Sequence, residues 1–237
     1  MRPRPIAVRR FLTALATAAL TALAAAPPAA AAPQGAPDGA PSRTAAPTAI
    51  RGGNVLYSGA GRCTVGFNTT KAGTYYALMS GRCVGGAKDW YADAARTVHV
   101  GVTEAVRFPG SDYAVIRYTN PAVSYPGEID IGGAHLDITG AAQPAVGQTV
   151  CLPGSTSAVH CGPVRAVNVS VSYPEGTVSG LVQTATCAET GAAGRPAVSG
   201  RTAIGILIGG SGTCSSGGTS YLQPVLPALA AYGLSLH

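Results

Sequence analysis

Few residues in this chain could do chemistry, and most of them stand apart in sequence. There are four His, at 99, 135, 160 and 237, and six Cys. Ser80, Ser111, Ser211 and Ser215 are candidate nucleophiles, but none is next to a His in sequence. His160 adjoins Cys161, yet one His beside a Cys committed to a disulfide is a poor metal ligand set, and nothing has the C-x-x-C spacing of a zinc site. No metal and no cofactor is expected. The stretch that organises the rest is Cys187 to Gly200, CAETGAAGRPAVSG. It sets Ala193 between Gly191 and Gly194, with Arg195 and Pro196 following. A methyl group at Ala193 cannot attack a carbonyl. Arg82, in Met79-Ser80-Gly81-Arg82-Cys83, stays protonated and cannot act as a general base. Asp112, after Pro109-Gly110-Ser111, is a candidate carboxylate.

Not all of the 237 residues are expected to fold. Residues 1–32 read as a secretory signal peptide: four Arg and no acid in the first ten, then an Ala/Leu-rich run, then small residues up to Ala32. The run is too short for a membrane anchor. Arg9-Arg10-Phe11-Leu12 is a loose match to a twin-arginine signal, and the general export route is the better reading. Residues 33–49 are rich in Pro, Ala and Gly without apolar periodicity, the composition of a linker. Residues 50–237 remain as one sizeable domain or two small lobes sharing a core. From Ile50 on there are 11 Lys+Arg against 9 Asp+Glu, a net of +2. That balance gives no reason to expect nucleic acid or an anionic membrane as partner. An exported chain with six Cys is expected to carry disulfides, and six Cys allow fifteen pairings.

The elements that must position these groups read as strands. Val167, Val169, Val171 and Tyr173 alternate with Asn168, Ser170 and Ser172, and Pro174-Glu175-Gly176 turns the chain. Tyr113 to Tyr118 is a run of β-formers, and Gly73 and Gly101 break others. The pattern is all-β, a sandwich or barrel. Only Gln223 to Tyr232 reads as a helix, stopped by Gly233, and Pro227 fits it only if it starts near Pro224. Trp90, Tyr75, Tyr76 and Tyr91 read as core or barrel-wall aromatics. The sequons at Asn68 and Asn168 carry little weight.

The domain resembles the secreted bacterial streptogrisins, of the alpha-lytic type of chymotrypsin-like serine protease. The likeness lies in Ile50-Arg51-Gly52-Gly53, Gly61 to Asn68, Asp112 to Tyr118, Gly209 to Gly218, Gln223-Pro224-Val225 and the Cys187 loop. It implies two antiparallel six-stranded β-barrels with a cleft between them and a short C-terminal helix. It also implies the pairings Cys63–Cys83, Cys151–Cys161 and Cys187–Cys214, each worth roughly 2–4 kcal/mol. Gly191 and Ala193 correspond to the oxyanion hole, and Ile208, Gly209 and Gly210 to the strand that binds substrate.

The departures from the family motifs decide the functional expectation. Arg82 stands at the position of the catalytic His, and Ala193 at that of the Ser. Only Asp112 of the triad is retained. Ala192 and Leu152 stand where the family pairs an Asp with an Arg, so both ends of that ion pair are absent together. Ile208 holds the place of a Ser that bonds the catalytic Asp. Because the family places positions 82 and 112 in contact, an Arg82–Asp112 ion pair is expected. Arg195 is either a contact at the cleft mouth or surface. The resemblance thus implies a secreted, extracellular, monomeric homologue without proteolytic activity that binds extended peptides or protein protease inhibitors. The alternative is a streptogrisin-type endopeptidase of weak or altered activity, and a third reading is a relic with no selected ligand. The resemblance also implies a folding pro-segment, whereas about 17 residues stand between the expected signal peptide and Ile50.

Overall fold

The computed structural model describes residues 49–153 and 159–237. The signal-peptide and linker readings fall on 1–48, outside the described residues, except that Ala49 already bridges Ser124.

Among the described residues, sixteen strands and two helices follow in chain order. They are β1 (Val55–Ser58), β2 (Gly61–Lys71), β3 (Thr74–Met79), α1 (Gly81–Val84), β4 (Asp89–Tyr91), β5 (His99–Arg107) and β6 (Tyr113–Tyr118). Next come β7 (Glu128–Asp130), β8 (His135–Asp137), β9 (Gly140–Ala141), β10 (Thr149–Pro153) and β11 (Val159–Tyr173). The last are β12 (Gly176–Thr184), β13 (Pro196–Ser199), β14 (Thr202–Thr213), β15 (Gly217–Pro224), α2 (Val225–Tyr232) and β16 (Ser235–Leu236). The first sheet runs β1-β4-β5-β6-β3-β2, and β1 pairs with β2 to close a six-stranded antiparallel barrel, with β16 added beside β2. The second runs β13-β10-β11-β12-β15-β14 and closes through β13–β14, with β9 added to β14. Closure removes the sheet edges along the paired lengths of these strands.

One core fills the first barrel around Trp90, Met79 and Ile116, and another fills the second around Val150, Ile204 and Leu222. A third joins the two: Phe67, Leu78 and Val115 of the first barrel meet Val198 and Ile206 of the second and Val225, Ala228 and Leu229 of α2. Helix α2 begins after Pro224, so Pro227 lies in the first turn, where its missing N–H has no intrahelical acceptor to lose. Gly233 ends the helix in the left-handed region at φ 63°. The three disulfides join Cys63 to Cys83, Cys151 to Cys161 and Cys187 to Cys214, and among the described residues no Cys is free.

Two local readings are corrected. The single turn of helix at α1 has no periodic pattern to announce it and rests instead on its cap, Ser80, whose Oγ accepts from Cys83 N. Gly101 does not break a strand. It lies within β5, between Trp90 of β4 and Tyr118 of β6, where a Cβ would fall 2.4 Å from the Arg117 carbonyl oxygen. Gly is needed there for close backbone approach. Gly101→Ala is therefore expected to destabilise the domain by about 1–3 kcal/mol in urea melts. Gly140→Ala, at a site with open space, should change stability by less than about 0.5 kcal/mol. Equal effects would mean that the close approach at Gly101 is not tight.

Candidate functional site

Asp112 immediately precedes β6 and is fully buried. Its backbone N–H donates to Gln223 Oε1 on β15 of the second barrel at 2.8 Å. Its carboxylate lies at the start of α1, where Oδ1 accepts from Ser80 Oγ at 2.9 Å and from the Arg82 backbone N–H at 2.7 Å. The other oxygen, Oδ2, is the one buried side-chain nitrogen or oxygen among the described residues without a hydrogen-bond partner. Burial pushes the Asp112 carboxyl above its ordinary value, against the hydrogen bonds from Arg82 N–H and Ser80 that pull it down; the Arg82 charge acts in the same downward direction but least.

The expected Arg82–Asp112 ion pair does not form. The Arg82 guanidinium carbon lies 4.5 Å from the centroid of the Tyr173 ring, and its Nε is 4.0 Å from Glu175 Oε1. Both Tyr173 and Glu175 belong to the β11–β12 hairpin of the second barrel, so Arg82 reaches across the cleft. The Arg82 and Glu175 side chains are 46% and 52% exposed, and an ion pair so wet is worth about 0–1 kcal/mol at most. Turning inward to Asp112 would strip the guanidinium of water, whereas stacking on Tyr173 leaves it half hydrated. Behind this pair, Ile208 is buried against Val178 and Leu181 with Phe108 and Tyr173 beside it.

No imidazole is recorded against Asp112. His99 faces Asp89 and Tyr91, and His237 Nε2 donates to Tyr125 O and the ring packs on Tyr75. His135 is exposed on β8. His160 lies within 4.8 Å of the Cys187 and Cys214 sulfurs, but both sulfurs are spent in one disulfide. Without thiolates this trio does not suit a metal.

The Cys187 loop is held by backbone. Gly194 N donates to Leu207 O at 2.7 Å, and Leu207 N donates to Arg195 O at 2.9 Å. Ala192 is buried, while Gly191 and Ala193 are exposed. Gly191 adopts φ 83°, which a side chain would resist. The backbone N–H groups of Gly191 and Ala193 donate to no acceptor recorded among the described residues. In front of the loop lies a pocket of about 270 Å³, bounded by Gly191, Ala193, Leu207, Gly209, Gly210 and Gly212 among others. The strand behind it, β14, pairs with β13 only as far as Ile206. From Ile208, which sits at a register shift, one side of β14 has no partner strand, and Gly210 to Thr213 are exposed.

A two-barrel body with a cleft crossed by Arg82 and an open strand edge beside a glycine-lined pocket is a chymotrypsin-like arrangement. No family model matches the chain. Individual proteins do. The chain is 42% identical over 174 residues to Serine protease 2 of Streptomyces fradiae, covering 72% of this chain and 100% of that one. It is 41% identical over 189 residues to Streptogrisin-D of Streptomyces griseus, covering 79% of this chain and 48% of that one. It thus spans about half the length of that relative. A solved structure, Alpha-lytic protease homolog N4, is 76% identical with a TM-score of 0.77, covering 80% of this chain and 100% of that one. The chain belongs to the streptogrisin and alpha-lytic family of chymotrypsin-like serine proteases.

The separation of the Arg82 and Asp112 side chains has a thermodynamic consequence. In a double-mutant cycle of Arg82→Met and Asp112→Asn, the two effects should add to within about 0.5 kcal/mol, because the Arg82 backbone N–H survives the substitution. A coupling above about 1 kcal/mol would place the guanidinium on the carboxylate.

Asp112 should also leave a mark on the pH profile. Its folded pKa is raised above the ordinary 3.8, so the native state holds the proton more tightly than the unfolded chain. Stability therefore falls as pH rises from about 3.8 through the raised folded value, and the cost is complete above it. The stability of the wild type minus that of Asp112→Asn should decline across that window in urea melts. A difference that rises with pH would mean the carboxylate is stabilised in the fold.

Proposed function

We propose that this protein is a secreted, non-proteolytic member of its family that binds extended polypeptide in the cleft, with substrate-like loops of protein protease inhibitors as its partners. The observation that carries the reading is the unpaired side of β14 from Ile208 to Gly212 beside the idle N–H groups of Gly191 and Ala193. Strand addition to such an edge uses main-chain groups of both partners and needs no catalytic side chain. The N–H pair would receive a carbonyl oxygen of the ligand, as an oxyanion hole does. A rigid inhibitor loop is favoured over a flexible peptide because it loses less entropy on binding.

Proteolysis is disfavoured by the side chains at the same place. Ala193 offers a methyl group, and Arg82 lies on Tyr173 with no free base character. Leu152 and Ala192 are buried among apolar residues, and Ile208 adds no hydroxyl toward Asp112. Export is supported by the leader read in residues 1–32 together with three disulfides. The +2 balance of the domain gives no reason to add a nucleic acid or an anionic membrane as partner.

The test is calorimetry with a panel of inhibitors that present a rigid substrate-like loop, alongside a fluorophosphonate probe. A blocking control belongs at Gly209. A Cβ there meets only Tyr173 Oη at 3.8 Å, whereas one at Gly210 would strike the Thr219 carbonyl oxygen at 2.4 Å and disturb β15. Binding with a Kd of tens of micromolar or tighter, about −6 kcal/mol, is expected for the wild type and should be lost in Gly209→Trp. No Ser should label. Labelling of any Ser in the domain would establish an endopeptidase instead, and binding indifferent to Gly209→Trp would place the ligand outside the cleft.

A further inference from the structure

The far end of the first barrel carries a pocket of about 650 Å³, within the range of about 300–1,000 Å³ usual for small-molecule sites. Asp112 stands before one end of β6 and Tyr118 at the other, so the pocket lies about 20 Å along the strand from the cleft carboxylate. Tyr75, Tyr118, Tyr125 and His237 supply its rings, and Thr74, Thr119 and Ser124 its small hydroxyls. We propose that this pocket binds a neutral oligosaccharide, with the C–H face of one sugar ring laid on Tyr75.

The buried part of the site is braced in advance. The Tyr118 and Tyr125 rings stack with centroids 3.7 Å apart and planes 14° apart. Tyr118 Oη donates to Asn68 Oδ1 at 2.9 Å, and Tyr125 Oη donates to Asn120 O at 2.9 Å. Asn120 in turn donates from Nδ2 to His99 O at 2.7 Å and accepts at Oδ1 from Ala122 N at 2.9 Å, which fixes the turn between the two Tyr. A site held this way loses little entropy on binding. Beside the buried rings stands Tyr75, 44% exposed, with the His237 ring 5.0 Å and the Tyr125 ring 6.1 Å from its centroid. A ring so exposed and so supported is a platform for a flat apolar face.

The wall chemistry selects the ligand. No Lys, Arg, Asp or Glu side chain lines the pocket. Burial pushes the Tyr125 phenol up to about 12 and raises Tyr118 as well, so both stay uncharged. His237 Nε2 is spent on Tyr125 O, and the His237 main-chain oxygen sits against Gly127, which is not part of the wall. An ammonium finds no slot between Tyr75 and His237, whose rings already touch. The side-chain hydroxyls of Thr74, Tyr75, Thr119 and Ser124 make no hydrogen bond recorded among the described residues, and each can both donate and accept. A sugar ring has the matching pair of surfaces, a C–H face for the aromatic platform and a rim of hydroxyls for these four. A purely apolar ligand would strip water from the same hydroxyls and replace it with nothing. This site does not depend on the cleft reading, because it shares no residue with the pocket in front of the Cys187 loop.

The probe is cellopentaose, whose linked glucose units present C–H faces on both sides, titrated into the ¹⁵N-labelled protein while amide signals are followed. A saturable shift with a Kd on the order of 1 mM is expected at Thr74, Tyr75, Thr119 and Ser124, with the Gly191 and Gly210 amides unmoved. Tyr75→Ala removes the platform and should weaken binding by about tenfold or more. Tyr75→Phe keeps the ring and removes its hydroxyl, and should weaken binding severalfold at most, about the value of one hydrogen bond. Should Tyr75→Ala not fold, Thr119→Val with Ser124→Ala leaves every ring in place, since both residues are exposed, and should weaken binding severalfold. Tetramethylammonium chloride and sodium acetate should give no saturable shift at these amides. The proposal is overturned by cellopentaose shifts that do not saturate, or by binding that stays at the wild-type level both without the Tyr75 ring and without the Thr119 and Ser124 hydroxyls. Tetramethylammonium or acetate binding more tightly than cellopentaose would overturn it too, and shifts at Gly191 and Gly210 in place of Tyr75 would put the ligand in the cleft.

Discussion

The cleft depends on how one buried carboxylate is held. Asp112 ties three elements together: its N–H bonds to Gln223 of the second barrel, its Oδ1 caps the single turn of α1 through Ser80 and Arg82 N–H, and its own backbone leads into β6. A charge in that place is costly unless its acceptor capacity is met. Here one oxygen is met twice and the other not at all. The site therefore stores a cost at Oδ2 while using Oδ1 to fix the angle between helix and strand. The present contacts of Asp112 serve the barrel seam.

Arg82 shows how a positive charge beside that carboxylate settles. Two acceptors compete for it, the buried Asp112 and the exposed hairpin of Tyr173 and Glu175. The hairpin wins because it asks for little desolvation. The cation–π stack and the long contact to Glu175 are each worth about 1 kcal/mol or less at such exposure. They suffice because the competing state would bury the whole guanidinium. One result is that Tyr173, raised in pKa by burial and then by the charge of Asp112, is pinned over the cleft by its neighbour.

Strands with strong local pattern were legible. Tyr113 to Tyr118 and the Val167–Tyr173 alternation end where their turn residues say they should, and Pro227 dated the start of α2 correctly. Gly101 misled because a Gly read without its neighbours cannot separate a chain break from a close approach; only the Arg117 carbonyl at 2.4 Å from its absent Cβ does. Helix α1 is too short for a periodic signal and lives on one side-chain cap. The direction of the Arg82 side chain was out of reach for a different reason. Sequence places position 82 beside Asp112 through its backbone, and that much holds at 2.7 Å, but the side chain answers to a hairpin some ninety residues away. A cavity of about 440 Å³ behind the Cys187 loop likewise brings together Leu152, His160 and Ala192, which no local pattern joins.

The loop from Cys187 to Arg195 keeps its shape by means that owe nothing to reactive side chains. Gly194 N donates to Leu207 O of the strand beneath and Arg195 O accepts from Leu207 N, a disulfide anchors one end, and Ala192 packs into the core of the second barrel. A loop fixed by backbone holds its N–H groups in place whatever stands at position 193. An apolar residue at 192 is the compatible choice in a core it shares with Leu152, Val150 and Leu207. The same reasoning separates the two capacities of this fold. Catalysis is carried by side chains that a few substitutions remove, whereas recognition of an extended chain is carried by main-chain groups that substitution cannot remove without unfolding the strand. The second capacity would therefore persist in this fold without the first.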